Sequence, residues 1–323
     1  MATGAALAPA AAAALAFAAH LFLPDRQLAP LTWMDALPAW RHPYSMALLI
    51  VVVLSLAGAA IQAVWPPLRR PARHYGPLLA GAVVVAAFWD LITQKLNAMR
   101  LPYFPGPDLV FGALVEDQAL LLKSAGHSLL LLLSGYGLGA LAGVTIGILI
   151  GWFARARYWM MPAIKLIGPL PATALVPLAM TLSNDSFLPA TALIAFAVWF
   201  PVTMLTASGV AAVRLSYLDV ARTLGAGQWY LVRHVAIPAA LPQIFIGLFM
   251  GLGAAFLTLI AAETVGVQAG LGWYVKWRQG FGMEYANVYA ALLLMSVFFS
   301  ALMTLLFRLR DYALKWQKGI IQW

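Results

Sequence analysis

The sequence predicts an all-α, polytopic membrane protein with about eight transmembrane helices. Of its 323 residues, 63% are hydrophobic and 10% are charged, whereas a soluble domain carries about 25% charged residues. Mean hydropathy is +0.86, and a soluble fold of this length could not bury so much apolar surface. Eight apolar windows are long enough to cross a hydrocarbon core of about 30 Å. They cover residues 5–23, 44–64, 76–95, 127–153, 159–182, 188–212, 238–262 and 286–307.

The first window is rich in alanine and allows two interpretations. It can form a spanning helix, or it can belong to a cleaved signal peptide, which needs a basic segment ahead of its apolar stretch. The opening residues MATGAALAPA contain no basic side chain, so the spanning helix is favoured. Alanine is only weakly hydrophobic, which makes this window the weakest of the eight.

Ionisable residues are nearly absent from the apolar windows. Asp90 lies near the end of the third window, and Lys95 is about one turn away. We interpret Asp90 as a residue of the membrane–water interface, because a charge at membrane depth is costly.

Glycine recurs every four residues in the fourth window, at Gly135, Gly139, Gly143, Gly147 and Gly151. This spacing places the glycines along one side of a helix. Small residues at this spacing let helices approach closely in lipid, so we expect tight packing within one subunit. The seventh window repeats the pattern and fits either a subunit interface or a pore-lining helix, through Gly247, Gly251 and Gly253.

Proline interrupts the fifth window, MPAIKLIGPLPATALVPLAM, at four positions. Proline leaves backbone carbonyl groups unpaired, and such backbone at membrane depth is buried in protein or lines a water-filled cavity. The segment is therefore either a wall of a solute pathway or a kinked helix that packs against its neighbours. The candidate pathway residues are Pro169, Pro171, Thr173 and Pro177, with Ala195 and Trp199 of the sixth window.

Glu263 follows directly after the seventh window and is interpreted as lying near the outer interface. An acid at this position can cap a helix, accept hydrogen bonds from a facing backbone, or form part of a gate. Structural pairing is slightly favoured, and Glu263 is also kept among the candidate pathway residues.

A polar, basic loop, DVARTLGAGQWYLVRHVAIP, separates the sixth and seventh windows. It predicts a short helix over residues 217–224 and a stop at Gly225, which needs either a positive φ or the close approach of another backbone. A second short helix is expected to end at Pro238. An amphipathic insert of this kind between two apolar segments is typical of a docking element.

The loop resembles the EAA loop of the membrane-spanning subunits of bacterial ATP-binding-cassette (ABC) importers. The similarity rests on Asp219 and Ala221, on Gly225 four residues later, and on Val235-x-Ile237-Pro238. In that family the loop forms a coupling helix that sits in a groove of the cytoplasmic ATPase. The resemblance implies a polar anchoring or helix N-terminal charge for Asp219, close packing for Ala221 and the turn at Gly225. It further implies groove contacts for Trp229 and Tyr230, membrane re-entry at Pro238, and a place for Ala226 among the ATPase-coupling residues.

Other segments are similar to the nitrate, sulfonate, taurine and bicarbonate branch of these permeases. They are LPYFPGPDLV from Leu101, the run from Lys165 to Leu178, and the Ala262-Glu263 pair followed by Gly270-Leu271-Gly272. The chain departs from the pattern of this family at three points. In the loop, Asp219 replaces the usual Glu and Val220 replaces the first Ala. After the fifth window, the segment SNDSF at 183–187 lacks the Gly and Lys often found there. The last one leaves the substrate class open.

The resemblance implies three regions and a function. Residues 1–100 would add about three spanning helices of no assigned role, residues 101–318 would form a type I importer permease core, and residues 319–323 a cytoplasmic tail. The chain would carry a small oxyanion or organic acid, such as nitrate, sulfonate, taurine or bicarbonate, from a periplasmic binding protein into the cytoplasm. Implied partners are two cytoplasmic ATPase subunits that bind ATP and Mg, a second permease copy, the binding protein and membrane lipid.

The sequence itself argues against catalysis by this chain. It has no Walker-type GxxxxGK[ST], no nucleophile elbow and no HExxH motif, so we expect no catalytic residues and no ATPase site. It has no cysteine, and its five histidines lack ligand spacing, so we expect no metal and no cofactor. An ion-coupled secondary transporter and a non-transport assembly protein remain alternatives, and the first would need intramembrane acids.

The basic residues predict the orientation. With the loop at 219–238 in the cytoplasm, alternation places 13 of the 20 Lys and Arg on that side, as the positive-inside rule requires. Both termini are then cytoplasmic, in the bacterial inner membrane, and the outer loops are 24–43, 96–126, 183–187 and 263–285. The net charge of +9 is explained by these cytoplasmic loops, and we expect no nucleic-acid partner.

Overall fold

The computed structural model of the protein describes residues 2–27, 33–64, 69–182, 185–280 and 284–317. Within these ranges every regular element is helical, as predicted. The α-helices are α1 (Ala2–Phe22), α2 (Pro43–Val64), α3 (Arg69–Asp90), α4 (Pro107–Glu116), α5 (Gln118–Trp152), α6 (Ala154–Ile167), α7 (Val176–Thr181), α8 (Phe187–Ala211), α9 (Leu215–Thr223), α10 (Gln228–Tyr230), α11 (Ile237–Val265), α12 (Leu271–Gly280) and α13 (Tyr285–Ala313). The predicted tail at 319–323 lies outside the described residues.

Wider and tighter helical turns complete the secondary structure. Two π-type turns extend α3 over Leu91–Lys95 and join α10 to α11 over Leu231–Ala236. Short 3-10 helices cover Trp33–Ala36, Ala39–Arg41, Ala172–Leu175 and Lys315–Gln317.

In the described part of the chain, six helical segments are long and apolar enough to cross a membrane, and a bent pair could add a seventh. The bent pair is the proline-rich fifth window, which divides into Ala154–Ile167 and Ala172–Thr181 with an angle of 69° between the two parts. The first window is helical as well, within α1, and its described apolar stretch is Leu7–Phe22. The polytopic all-α class is therefore confirmed, with six or seven such segments found among the described residues.

The chain divides into two compact units. The N-terminal unit comprises Met1–Leu121 and Trp277–Leu292, and the core unit comprises Leu122–Lys276 and Leu293–Trp323. The boundary expected near residue 100 does not coincide with this division, because residues 101–121 and 277–292 pack with the N-terminal helices.

Close contacts made by alanine hold α1 in the N-terminal unit. Ala13 and Ala16 are buried in a cluster with Tyr44 and Leu48 of α2 and Val83 of α3. Small side chains allow neighbouring helices to approach closely. The alanine-rich composition of the first window is thus explained by helix packing.

The glycine stripe of α5 packs against α8 in the core unit. A Cβ atom at any of the five glycines would lie less than 3.0 Å from an atom of α8. The side chains met there also recur every four residues, at Ile194, Val198, Val202, Thr206 and Val210, so the two helices run in the same direction. The predicted close packing within one subunit is confirmed.

Helix α11 lies against α8 as well. A Cβ atom at Gly247 would be 3.1 Å from Val202, and one at Gly251 would be 3.0 Å from Val198. These two glycines therefore serve packing within the chain, and neither the subunit-interface nor the pore-lining interpretation holds for them. Only Gly253 of this set has open space around it among the described residues.

Candidate functional site

The turn at Gly225 has the backbone geometry predicted for it. Helix α9 ends at Thr223, and Gly225 has a φ of +83°. The N–H of Gly225 donates to the carbonyl oxygen of Arg222 at 2.9 Å, and the N–H of Ala226 donates to that of Ala221 at 3.0 Å. This pair of bonds is the Schellman arrangement, which satisfies the last carbonyl groups of a helix.

The loop around this turn exposes large apolar side chains. Leu224 is 83% exposed and Trp229 is 77% exposed, and Tyr217, Val220 and Tyr230 are also exposed. Residues of α9 and residues 230–235 line a cavity of about 550 Å³ beside Gly225. Large apolar residues grouped on a polar loop commonly mark an interaction surface.

Asp219 lies in the middle of α9, because that helix begins at Leu215. It is exposed and accepts a hydrogen bond from Arg222 at 3.1 Å. A role as a helix N-terminal charge is therefore wrong, since the effect of the helix dipole is confined to the first turn. Ala221, expected to pack closely, is half-buried, as is Ala226.

Pro238 does not end a helix. The helical segment runs from Gln228 to Val265, and Pro238 lies in the first turn of α11, directly after the π-type turn Leu231–Ala236. A π-type turn interrupts the regular ladder of backbone hydrogen bonds, and proline, which has no N–H to donate, is tolerated at such a point. The wide turn thus accommodates Pro238 without a break, and Leu231, Val232 and Ala236 are buried there.

The predicted pathway residues fall into two groups. Pro169, Pro171, Thr173 and Pro177 are exposed on the broken span. The break follows Gly168, whose missing side chain leaves the space that the ring of Phe200 occupies.

The second group belongs to the packed interior. The Cα atom of Ala195 would lie 2.9 Å from a Cβ atom at Gly139, so this part of α8 is in contact with α5. Trp199 is half-buried, stacks on Phe196 with 6.1 Å between ring centroids, and packs against a cluster that includes Ile150. The structure does not group either residue with the exposed prolines.

Glu263 is a buried hydrogen-bond acceptor. It is 1% exposed, accepts from the Ser128 hydroxyl at 2.6 Å, and accepts from the Gly272 N–H at 2.8 Å. The Ser128 hydroxyl in turn accepts from the N–H of Leu271 at 2.9 Å. This arrangement ties the start of α12 to α5 and α11, which favours the pairing role over a gate or pathway role.

The sequence interpretation missed a buried ionic network in the N-terminal unit. His20 lies between two carboxylates, with Nδ1 at 3.0 Å from Asp90 Oδ2 and Nε2 at 3.0 Å from Asp108 Oδ2. Carboxylate oxygens only accept, so an imidazolium that donates from both nitrogens fits this geometry. Asp90 is therefore buried within the N-terminal unit and pairs with His20; its position at the membrane–water interface stays a prediction.

Further contacts extend this network. His42 Nδ1 lies 3.3 Å from Asp108 Oδ2. Burial alone would raise the pKa of the Asp108 carboxyl, but the hydrogen bonds and charges of His20 and His42 outweigh it and lower that pKa. Lys95 pairs with Asp25 at 2.7 Å and donates to the carbonyl oxygens of His20 and Leu23 at 2.5 and 3.0 Å.

No grouping suited to a metal ion is present in the ranges that the structure describes. The described helices and the exposed loop of the core unit define a polytopic helical membrane protein.

Comparison with known proteins gives the family. The profile of binding-protein-dependent transport system inner membrane components matches residues 143–317. The aliphatic sulfonates transport permease protein SsuC of Bacillus subtilis is 30% identical over 239 residues, which cover 71% of this chain and 84% of SsuC. The taurine transport system permease protein TauC of Escherichia coli is 30% identical over 219 residues, covering 66% and 78%. The chain therefore belongs to the family of binding-protein-dependent transport system inner membrane components.

Two further matches are partial. An ABC transporter permease protein of Brucella melitensis is 33% identical over 152 residues, which cover 47% of this chain and 62% of that relative. A chain of the inward-facing MetNI methionine ABC transporter superposes with a TM-score of 0.51 at 16% identity, covering 61% of this chain and 97% of that one. The latter likeness shows a shared fold.

Proposed function

We propose that this chain is the permease subunit of an ATP-driven importer and that the loop containing Gly225 couples it to cytoplasmic ATPase subunits. The observation that carries the proposal is the set of exposed apolar side chains around a glycine of positive φ, within the region that matches the family. An apolar surface of this kind is stabilised by burial against a partner.

The remaining components follow from the family. Two ATPase subunits would bind ATP and Mg, a second permease copy would complete the pathway, and an extracytoplasmic binding protein would deliver the solute. The chain would hold no cofactor or ATPase site of its own. The names of SsuC and TauC refer to sulfonates and taurine, which both carry a sulfonate group, and we infer a small oxyanion or organic acid as the solute of this chain.

Reconstituted transport tests this function. Proteoliposomes containing the chain, its ATPase subunits and its binding protein should accumulate labelled taurine, aliphatic sulfonate, nitrate or bicarbonate only with MgATP present. Uptake that follows a proton or sodium gradient without ATP would instead support an ion-coupled secondary transporter. Properly assembled complexes that carry none of the four solutes would contradict the proposed solute class.

The proposed orientation places both termini and the Gly225 loop in the cytoplasm. The chain contains no cysteine, so single cysteines can report the side of the membrane. Arg70→Cys, Gln228→Cys and Gln317→Cys should resist an impermeant thiol reagent in intact cells, whereas Ser186→Cys should react. Labelling of Gln228→Cys from outside would invert the orientation.

We also infer that the exposed residues of the broken span form a wall of the pathway. Thr173→Trp should fold and assemble but slow uptake by roughly tenfold or more, because Thr173 is exposed in this chain. Ala195→Trp should instead cost about 1–3 kcal/mol of stability through overpacking, since that part of α8 contacts Gly139.

Uptake and complex recovery in detergent, measured on the same two variants, separate these effects. Loss of assembly in Thr173→Trp, or a pure uptake defect in Ala195→Trp, would contradict the assignment.

A further inference from the structure

The N-terminal unit contains a pocket of about 360 Å³ on which the proposed coupling function does not depend. Three segments meet there: residues 33–34, residues 101–116 and residues 284–287. Much of its lining lies outside residues 143–317, the region that matches the family. Residues before the matched region thus form most of the cavity, and residues 284–287 complete it.

The chemistry of the lining suits a cationic side chain. Leu101, Pro105 and Ala113 contribute apolar surface, and Trp33 and Tyr285 contribute aromatic rings. Glu116 is exposed at this pocket and has no ion-pair partner among the described residues. A carboxylate beside aromatic rings attracts an ammonium or guanidinium group, and an apolar wall accommodates the methylene stem of that side chain.

Contacts around the pocket hold its walls in place. Arg278 binds Glu284 at 2.6 Å and also binds Asp117, which accepts from Asn287 at 2.9 Å. Other walls are fixed by the Trp89 indole, which donates to the carbonyl oxygen of Pro105 at 3.1 Å, and by the Tyr103–Tyr285 contact. The pocket is therefore already formed in the isolated chain, and less ordering is needed on binding.

The predicted topology places these segments on the outer side of the membrane. Residues 33–34 and 101–116 lie in the outer loops 24–43 and 96–126, and residues 284–287 follow from the loop 263–285 into α13. This is the face that an extracytoplasmic binding protein would approach. Of the two acidic lining residues, Glu284 is paired with Arg278, so Glu116 is the one that complements a basic partner group.

We propose that this pocket receives a lysine or arginine side chain of the extracytoplasmic binding protein, with its charged group at Glu116 and its stem against Leu101 and Pro105. The proposal rests on the importer function and orientation given above. It assigns to the N-terminal unit a docking role that adds to the contacts of the family domain.

The test uses the complete permease–ATPase complex in lipid nanodiscs, titrated with the purified binding protein while ATP hydrolysis is measured. Glu116→Lys should raise the binding-protein concentration for half-maximal stimulation by roughly tenfold or more. Basal hydrolysis and the maximal stimulated rate should stay unchanged, and the difference should shrink at high salt. Glu116→Gln, which keeps the side-chain shape, should give a smaller shift in the same direction.

Gln118→Lys is the control, because it changes the charge by +1, as Glu116→Gln does, two residues away at an exposed position that does not line the pocket. It should shift the half-maximal concentration less than twofold. The proposal is overturned if both glutamate variants keep a half-maximal binding-protein concentration within twofold of that of the unmodified chain. It is also overturned if Gln118→Lys shifts this concentration as much as Glu116→Lys does. A Glu116 substitution that changes only the lipid that copurifies with the complex would overturn it as well. A complex that the binding protein does not stimulate at all contradicts the proposed function instead.

Discussion

Gly225→Val should reduce ATP-driven uptake by at least tenfold while the protein still inserts into the membrane at a normal level. The φ of +83° at Gly225 is unfavourable for any side chain, and most of all for a β-branched one. A Cβ atom there would meet nothing within 4 Å in this chain, so the cost comes from the backbone alone. Relaxation of the turn would displace the exposed Leu224 and Trp229, which we propose to contact the ATPase.

Gly227→Val is the matched control for this variant. Gly227 lies two residues away with equally open surroundings, but its φ of −74° and ψ of 167° suit valine. It should lose less than threefold in uptake, and Gly225→Asn should retain more activity than Gly225→Val because asparagine tolerates positive φ.

ATPase association and substrate-stimulated hydrolysis, measured on all three variants, locate the defect at the coupling surface. Normal transport by Gly225→Val would remove the coupling assignment.

Local patterns in the sequence were sufficient to predict the helices and the Gly225 turn. A glycine every four residues can only form a stripe along a helix, and the stripe was found packed against α8. A glycine after a short amphipathic segment predicts a left-handed helix end, and the φ at Gly225 confirms it. In both cases the determining residues are neighbours in the chain, so the period of the helix is enough to interpret them.

Pairing between distant residues could not be predicted in this way. The partner of Glu263 is Ser128, 135 residues earlier, and His20 meets Asp90 70 residues later. Asp90 and Glu263 lie at the ends of apolar segments, where an interface position is the simplest interpretation. The tertiary fold brings them together, and burial then requires that each finds a partner.

The alanine-rich first helix shows the same limit for apolar residues. Hydropathy treats Ala13 and Ala16 as weak evidence for a membrane span, yet both are buried against neighbouring helices. Hydropathy measures transfer into lipid and carries no information about close helix contact. The proline-rich window likewise predicted a break, but not that Ala195 would pack against Gly139 of α5 or that Trp199 would be half-buried while the prolines are exposed.

His20→Ala should destabilise the N-terminal unit more than any other single change considered above. The imidazole lies between Asp90 and Asp108, and all three side chains are buried. Removing one partner of a buried ionic group costs about 3–5 kcal/mol, because a charge is left without compensation. We expect the thermal midpoint of this unit to fall on the order of 10 °C.

Two buried reporter positions measure the two units separately. Ala13→Cys reports on the N-terminal unit and Ala255→Cys on the core unit, since both alanines are 0% exposed and the chain has no other thiol. Thiol reactivity against temperature gives one midpoint for each reporter. His20→Ala should lower the Ala13→Cys midpoint much more than the Ala255→Cys midpoint.

The control for a general effect of losing histidine is His74→Ala, at an exposed position of the same unit. It should change neither midpoint by more than about 2 °C, because surface substitutions usually alter stability by about 0.5 kcal/mol or less. Replacing His20, Asp90 and Asp108 together by alanine should recover part of the lost stability, because no uncompensated carboxylate then remains buried. Equal shifts in His20→Ala and His74→Ala, or no recovery in the triple variant, would show that charge compensation does not hold this unit together.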